Sequence, residues 1–227
     1  MLLVSINCLA QLSFFELVQE ASIELKIPRD NIDDRLLALK NISETEAVLV
    51  LPIFKKEQEE VIGYNAHILI VDRYVGAINS RFFETKVWST GPLVLNNIRI
   101  TTDSIGISKE IDVIGVLVSH VLGSSVVLHR SDKLNLFARD GIELSKIMDD
   151  FEVYEHSGEY DRSGNSHLES HSKNFYPISS ENVFKDLKVI DTITKMEMID
   201  GAEKPDEVSE DMTFLKFEGK AYRLHRQ

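Results

Sequence analysis

Six side chains that can bind a divalent ion crowd one short span of the chain: His156, Glu159, Asp161, His167, Glu169 and His171. Imidazole nitrogen and carboxylate oxygen together suit zinc, and an oxygen-rich set suits calcium. His167 and His171 stand four residues apart, so on a helix both would face one way. The Ser and Gly residues around them do not favour a helix, and solvated loop histidines are the competing reading. Asp149 and Asp150 add carboxylates from the neighbouring strand end. The ordered ligand spacing of an EF-hand loop is absent. A divalent metal ion is therefore the one cofactor the sequence suggests, and a metal-dependent hydrolase is the activity it would serve.

Other chemistry is thinner. Gly123-Ser124-Ser125 offers a hydroxyl flanked by His120 and His129, but no Gly-x-Ser-x-Gly elbow surrounds it. A polar turn explains it better. Phosphate-loop and dinucleotide glycine patterns are missing. Phe82, Phe83 and Trp88, the only tryptophan, lie close together and read as core. The acidic residues 203–211 suit either a solvated loop or a basic protein partner.

The chain has 227 residues, with 25 Lys and Arg against 37 Asp and Glu, a formal charge of −12. A surface this negative repels phosphate backbones, so nucleic acid is excluded as an expected partner. It suits solubility, a cation or a basic partner. The 43% hydrophobic content is enough for a packed core. Cys8 is the single cysteine, which removes any intrachain disulfide and any thiolate zinc cage. No stretch is long and apolar enough to be read as a transmembrane segment. Residues 1–10 read MLLVSINCLA, uncharged and largely apolar, with small residues at the third-last and last positions. They match the back half of a secretory signal whose Lys-rich opening would lie upstream. Cleavage there places the mature start near Gln11 and the protein in the periplasm or outside the cell. A retained, packed segment 2–10 would place it in the cytoplasm.

These residues need elements to hold them. Ser13 and Glu16 form a capping-box pattern ahead of Phe14, Leu17, Val18, Ala21 and Leu25 at helical spacing, and Pro28 ends that helix. Asp33 and Asp34 followed by Leu36, Leu37 and Leu39 predict a second helical turn over 33–40. Residues 11–42 are thus expected as a helical prefix. From Glu46 the period falls to two. Apolar runs at 47–51, 67–71, 111–118, 134–138 and 187–199 read as strands. Gly76, Gly141 and Gly219 each follow an acidic residue at the bend of a hairpin. Residues 45–227 are expected as one antiparallel β domain carrying a polar loop over 155–174, with an acidic, turn-rich loop over 200–211. The fold class is mainly β: antiparallel hairpins in a sandwich-like or partial-propeller arrangement behind a short helical N-terminal prefix.

Several stretches also resemble a family of uncharacterised exported bacterial proteins. They are Ile114-Gly115-Val116, Gly123-Ser124-Ser125, Leu134-Asn135-Leu136-Phe137 with Asp140-Gly141, and Gly158-Glu159-Tyr160-Asp161, together with the hairpin spanning 67–83. They cover about half the chain. Tyr160 stands where the family pattern has Trp, and the cysteine that follows it there is absent here. The resemblance implies export and a β-rich fold, and no activity. The leading expectation is a non-catalytic binding or interaction protein of the bacterial envelope. The alternatives are the metal-dependent hydrolase and an acidic inhibitor or immunity protein.

Overall fold

Ser13 caps α1 (Phe14–Glu24): the Glu16 amide donates to Ser13 Oγ, and the Ser13 amide donates back to Glu16 Oε2 at 2.7 Å. Leu17, Val18 and Ala21 form its buried face. The computed structural model describes residues 10–58, 61–90, 93–101, 106–123, 127–160, 165–199 and 202–225. Most of the expected leader, Cys8, Ser124, Ser125 and Asp161 lie outside them.

The expected second helical turn over 33–40 does not form. A single 3-10 turn (Arg29–Asn31) precedes it, and Ala38–Asn41 is instead a strand, β1. The reason is visible in the burial. Leu36 and Ala38 enter one core while Leu37 and Leu39 pack against another, a period of two that a helix cannot supply.

Three antiparallel meanders follow. The first adds β2 (Glu46–Gln58), β3 (Val61–Asp72) and β4 (Ile78–Thr90) to β1. The second is β5 (Leu93–Thr101), β6 (Val113–Gly123), β7 (Val127–Asp140) and β8 (Glu143–Tyr160). The third is β9 (Ser166–Ile178), β10 (Asp186–Ile199), the two-residue β11 (Ala202–Glu203), β12 (Glu207–Glu218) and β13 (Ala221–His225). All belong to one branched 13-stranded sheet. The mainly β expectation, with one short helix at the N-terminal end, therefore holds.

β2 and β3 are buried on both faces, which explains their unbroken apolar runs. Val48, Val50, Ile68 and Ile70 face Val116, Val118 and Phe137 of the second meander, so the first two meanders enclose one core between them. Leu49, Leu51, Leu69 and Val71 face the other way and are covered by α1. Gly76, at the β3–β4 bend, adopts φ +76°, and a Cβ there would sit 2.7 Å from Glu20 Cβ on α1. Only glycine satisfies both the turn and the close approach of the helix. β7 also serves two cores. Phe137 joins the first, while Leu134, Leu136 and Ala138 join Leu187, Val189, Leu215 and Tyr222 in a core shared with the third meander.

β8 is the hub. β7 runs along one of its edges. Its other edge takes β4 at a single parallel pairing, Arg81 opposite Glu143, and then β9 from Tyr154 to Tyr160. Between those points, residues 144–153 pair with a strand on one edge only among the described residues. The sheet forks there. β-bulges interrupt the β7–β8 pairing within the fork: Leu134 opposes Phe151, Leu136 opposes Met148 and Phe137 opposes Lys146, so Asp149 and Asp150 together face Asn135. Asp150 takes φ +44°. The buried Asn135 amide holds it, accepting from the Asp150 backbone N–H at 3.0 Å and donating to Asp150 Oδ1 at 3.1 Å.

The polar segment 155–174 is a correction. Apart from the undescribed 161–164, it is strand: the end of β8 and most of β9, paired residue for residue from Tyr154–Ser172 to Tyr160–Ser166. Polar residues occupy both faces of this hairpin, so no apolar alternation marks it. The acidic stretch is likewise strand from Glu207 onward, paired with β10.

Candidate ligand-binding cleft

The strand pairing decides which of the six expected ligands can meet. Glu159 opposes His167, which opposes Glu197; Glu155 opposes His171. Glu159, His167, Glu169 and His171 therefore share one face. His156 opposes Ser170 and lies on the reverse face, with its Nδ1 buried and unpartnered. Asp161 lies outside the described residues. Asp149 pairs with Lys146, and Asp150 with Asn135.

His171 is held between two carboxylates. Its Nδ1 lies 2.9 Å from Asp191 Oδ2 and its Nε2 2.9 Å from Glu169 Oε1. The Asp191 hydrogen bond, then the one from Glu169, raise its pKa above the ordinary imidazole value. Both ring nitrogens are thus engaged by carboxylates, and neither is left free for a metal. His167 Nδ1 lies 3.2 Å from Glu197 Oε1, and His129 Nδ1 lies 3.7 Å from Glu155 Oε1. Among the described residues no three His, Cys, Asp or Glu side chains are grouped closely enough to hold a metal ion. What this face supports is a ladder of histidine–carboxylate pairs.

A cleft of about 800 Å³ opens at the fork. Leu144 and Ile147 of β8 line it, with Phe82 of β4. Phe184 and Phe217 form the wall, their ring centroids 4.6 Å apart. The turns at Gly141 and Gly219 border it. Two of its cations are already satisfied. Lys146 Nζ pairs with Glu84 and, at 2.8 Å, with Asp149, and sits 5.6 Å from the Phe82 ring centre. Burial alone would lower its pKa, but the hydrogen bonds to Asp149 and Glu84 outweigh it, so the ammonium is stabilised.

Arg139 grips Glu46 of β2 through two bonds, at 2.8 and 2.9 Å. Its Nε donates to Ser80 Oγ at 3.1 Å, and that hydroxyl donates to the Gly141 carbonyl at 2.7 Å. Asn79 adds a third bond to Glu46 at 2.8 Å. These contacts lock the first two meanders together beside the cleft. Lys220, at the turn between β12 and β13, has no carboxylate partner among the described residues.

Comparison with protein-family models, with curated proteins and with solved structures finds no match. The cleft's geometry is what remains to read. Its lining combines apolar and aromatic side chains with the charged Arg139, Asp140, Lys146 and Lys220, and its size lies within the usual range for small-molecule sites. Among the described residues that line it, no hydroxyl or thiol is paired with a base. No helix among the described residues is long and apolar enough to cross a membrane.

Sequence reasoning missed this site because its lining comes from residues far apart in the chain. Two signals were present. The glycine turns at 141 and 219 both end at its rim, and Phe82 and Phe217 each stand in a strand that is otherwise partly polar. Of the residues singled out from the sequence, Phe82 reaches the cleft. Trp88 is core, as expected, and Phe83 is exposed and stacked on His67.

Proposed function

We propose that this is a non-catalytic binding protein of the bacterial envelope that takes the apolar part of a small amphipathic molecule into the cleft at the fork of its sheet. One observation carries the reading: a recess of about 800 Å³, lined by Phe82, Leu144 and Ile147 and walled by Phe184 and Phe217, stands where β8 pairs with a strand on one edge only among the described residues. An apolar ligand there covers the exposed parts of the half-buried Phe82 and Phe217. Arg139 and Lys146 are engaged by carboxylates of the protein itself, so they shape the site without supplying free reactive groups. The envelope setting is supported by the signal-like residues 2–10 and by the resemblance to exported proteins.

Calorimetric titration with dodecanol, a neutral amphiphile, tests the reading. Ser145 lines the cleft with its side chain exposed, so Ser145→Trp fills the space from the solvent side and leaves the core alone. The expected result is saturable binding to the wild type that is lost in Ser145→Trp with an unchanged Tm. Absence of binding, or binding that survives the substitution, refutes it.

A further inference from the structure

The third meander has an inner and an outer face. Phe175 of β9, Leu187 and Val189 of β10 and Leu215 of β12 point inward, into the core shared with β7 and β8. The residues that alternate with them point outward. Register sets these in rows across the three strands. Lys188 opposes Tyr176 and Phe214, Ile190 opposes Asn174 and Met212, and Thr192 opposes Ser172 and Glu210. Tyr176 and Met212 are about half exposed, while Ile190 and Phe214 are half-buried. None of these four belongs to a core cluster. Apolar side chains standing together on an outer face mark a contact surface, whereas scattered ones need no explanation.

Lys188 and Glu210 are the charged residues of these three rows. Among the described residues neither has an ion-pair partner. They cannot serve each other, because four residues of strand, about 13 Å, separate their rows. They flank the Ile190–Met212 row symmetrically, one row to either side.

We propose that this face pairs with the same face of a second copy of the chain, in a dimer closed by a two-fold axis running across the strands at the Ile190–Met212 row. Sheets packed face to face keep their strands within about 30° of one another, so rows lie over rows. The axis turns the rows end for end. Lys188 of each copy then comes over the Glu210 row of the other, twice by symmetry, and the middle row packs on its own counterpart. The row beyond Lys188, where Lys216 opposes Arg223, falls on the row of Ser170, Thr194 and Val208 and meets no like charge. A two-fold axis along the strands would lay each row on itself and bring Lys188 toward Lys188. Charge also favours a second copy over other occupants. The chain carries −12 overall, so copies repel wherever acidic surfaces meet. In these three rows one Lys and one Glu cancel. An anionic lipid surface fits less well, because Glu210 would be pressed against it.

Sedimentation equilibrium of the full chain tests this. The expected result is a reversible monomer–dimer equilibrium between about 1 and 100 μM. Met212→Lys puts charge into the middle row and should weaken the dimer about 100-fold, with an unchanged circular dichroism spectrum. Lys188→Glu and Glu210→Lys should each weaken it about tenfold, and the two together should restore it. Phe15→Ser, on the exposed side of α1, should change nothing. The charge exchange keeps the test decisive if Met212→Lys fails to fold. A monomer throughout the range overturns the pairing, as does open-ended association, a dimer that survives Met212→Lys, or one lost in Phe15→Ser. A double exchange that fails to recover the single losses overturns it too, because the two-fold arrangement requires that recovery.

Discussion

Replacing Glu46 by Gln removes one negative charge from between β2 and β7 and leaves Arg139 facing an amide. The two side chains are 20% and 23% exposed, so the pair lies between the exposed and buried limits. Exposed pairs contribute about 0.2–1 kcal/mol, whereas losing one partner of a fully buried pair costs about 3–5 kcal/mol. Both Glu46 oxygens accept from Arg139, and Asn79 and Ser80 complete the network. Glu46→Gln should therefore cost about 2 kcal/mol at neutral pH. The double variant Glu46→Gln with Arg139→Gln should cost less than the sum of the singles, with a coupling of about 1–2 kcal/mol.

The assay is urea unfolding followed through Trp88, the only tryptophan, which is buried in the core that these two strands enclose. The effect also has a pH signature. The Arg139 hydrogen bond holds the Glu46 carboxyl below its usual range, burial opposes this, and Asn79 adds to the lowering. A carboxyl with a depressed folded-state pKa gives stability that is present above its unfolded pKa and lost as the pH falls through the folded one. Wild type and Glu46→Gln should therefore converge in acid. A Glu46→Gln penalty under about 0.5 kcal/mol at pH 7, or a gap that stays constant into acid, would refute the reasoning.

His171 should titrate above the ordinary imidazole range when followed by NMR. Because its folded pKa is raised, its contribution to stability is full below the unfolded value and lost as pH rises through the folded one. Asp191→Asn should return it toward the ordinary value, and an unchanged titration would contradict the pairing. Gly76→Ala should cost about 1–3 kcal/mol, since it combines positive φ with a clash against Glu20; thermal unfolding checks this, and a neutral result would mean α1 is not seated on the bend. N-terminal sequencing of protein recovered from its native cell should begin near Gln11. Gln11 and Leu12 already bond to Arg73, Tyr74 and Glu44, so a chain starting there keeps its anchor; recovery of intact Met1 in the cytosol would contradict export.

How much of this the sequence revealed follows from where each signal lies. α1 was legible because its capping box and its apolar face are local. The hairpins bending at Gly76, Gly141 and Gly219 were legible because acidic residue and glycine meet within a turn, and all three glycines take positive φ. β1 was not, because three leucines in four residues fit a helix as well as a strand until two cores divide them. β9 was not, because a strand of His, Glu, Ser and Lys alternates no apolar face, and only its partners β8 and β10 reveal it. The metal reading shared that weakness. Residue types alone cannot show that His156 turns to the opposite face from His167, or that Asp191, far along the chain, takes the nitrogen a metal would need.

The cleft escaped for a deeper reason: it is made by an interruption rather than by a motif. Had β8 run straight, one strand could have covered its whole outer edge and left no opening. Instead Asn135 is buried between Leu134 and Leu136, and its amide serves as the partner for Asp150 in the bulge. The bulge lies between the pairing of β8 with β4 and the start of its pairing with β9. It also sends Asp149 outward, where it meets Lys146, and Lys146 in turn reaches Glu84 on β4 across the Phe82 ring. The same irregularity thus lies where the strands part and places Asp149 beside the Lys146–Glu84 pair that spans the gap. A buried asparagine opposite two consecutive aspartates looks like a liability in a core strand. Here it sits beside the cleft that Phe82, Leu144 and Ile147 line, while Leu144 also packs into the core between the first two meanders and Ile147 into the core shared with the third.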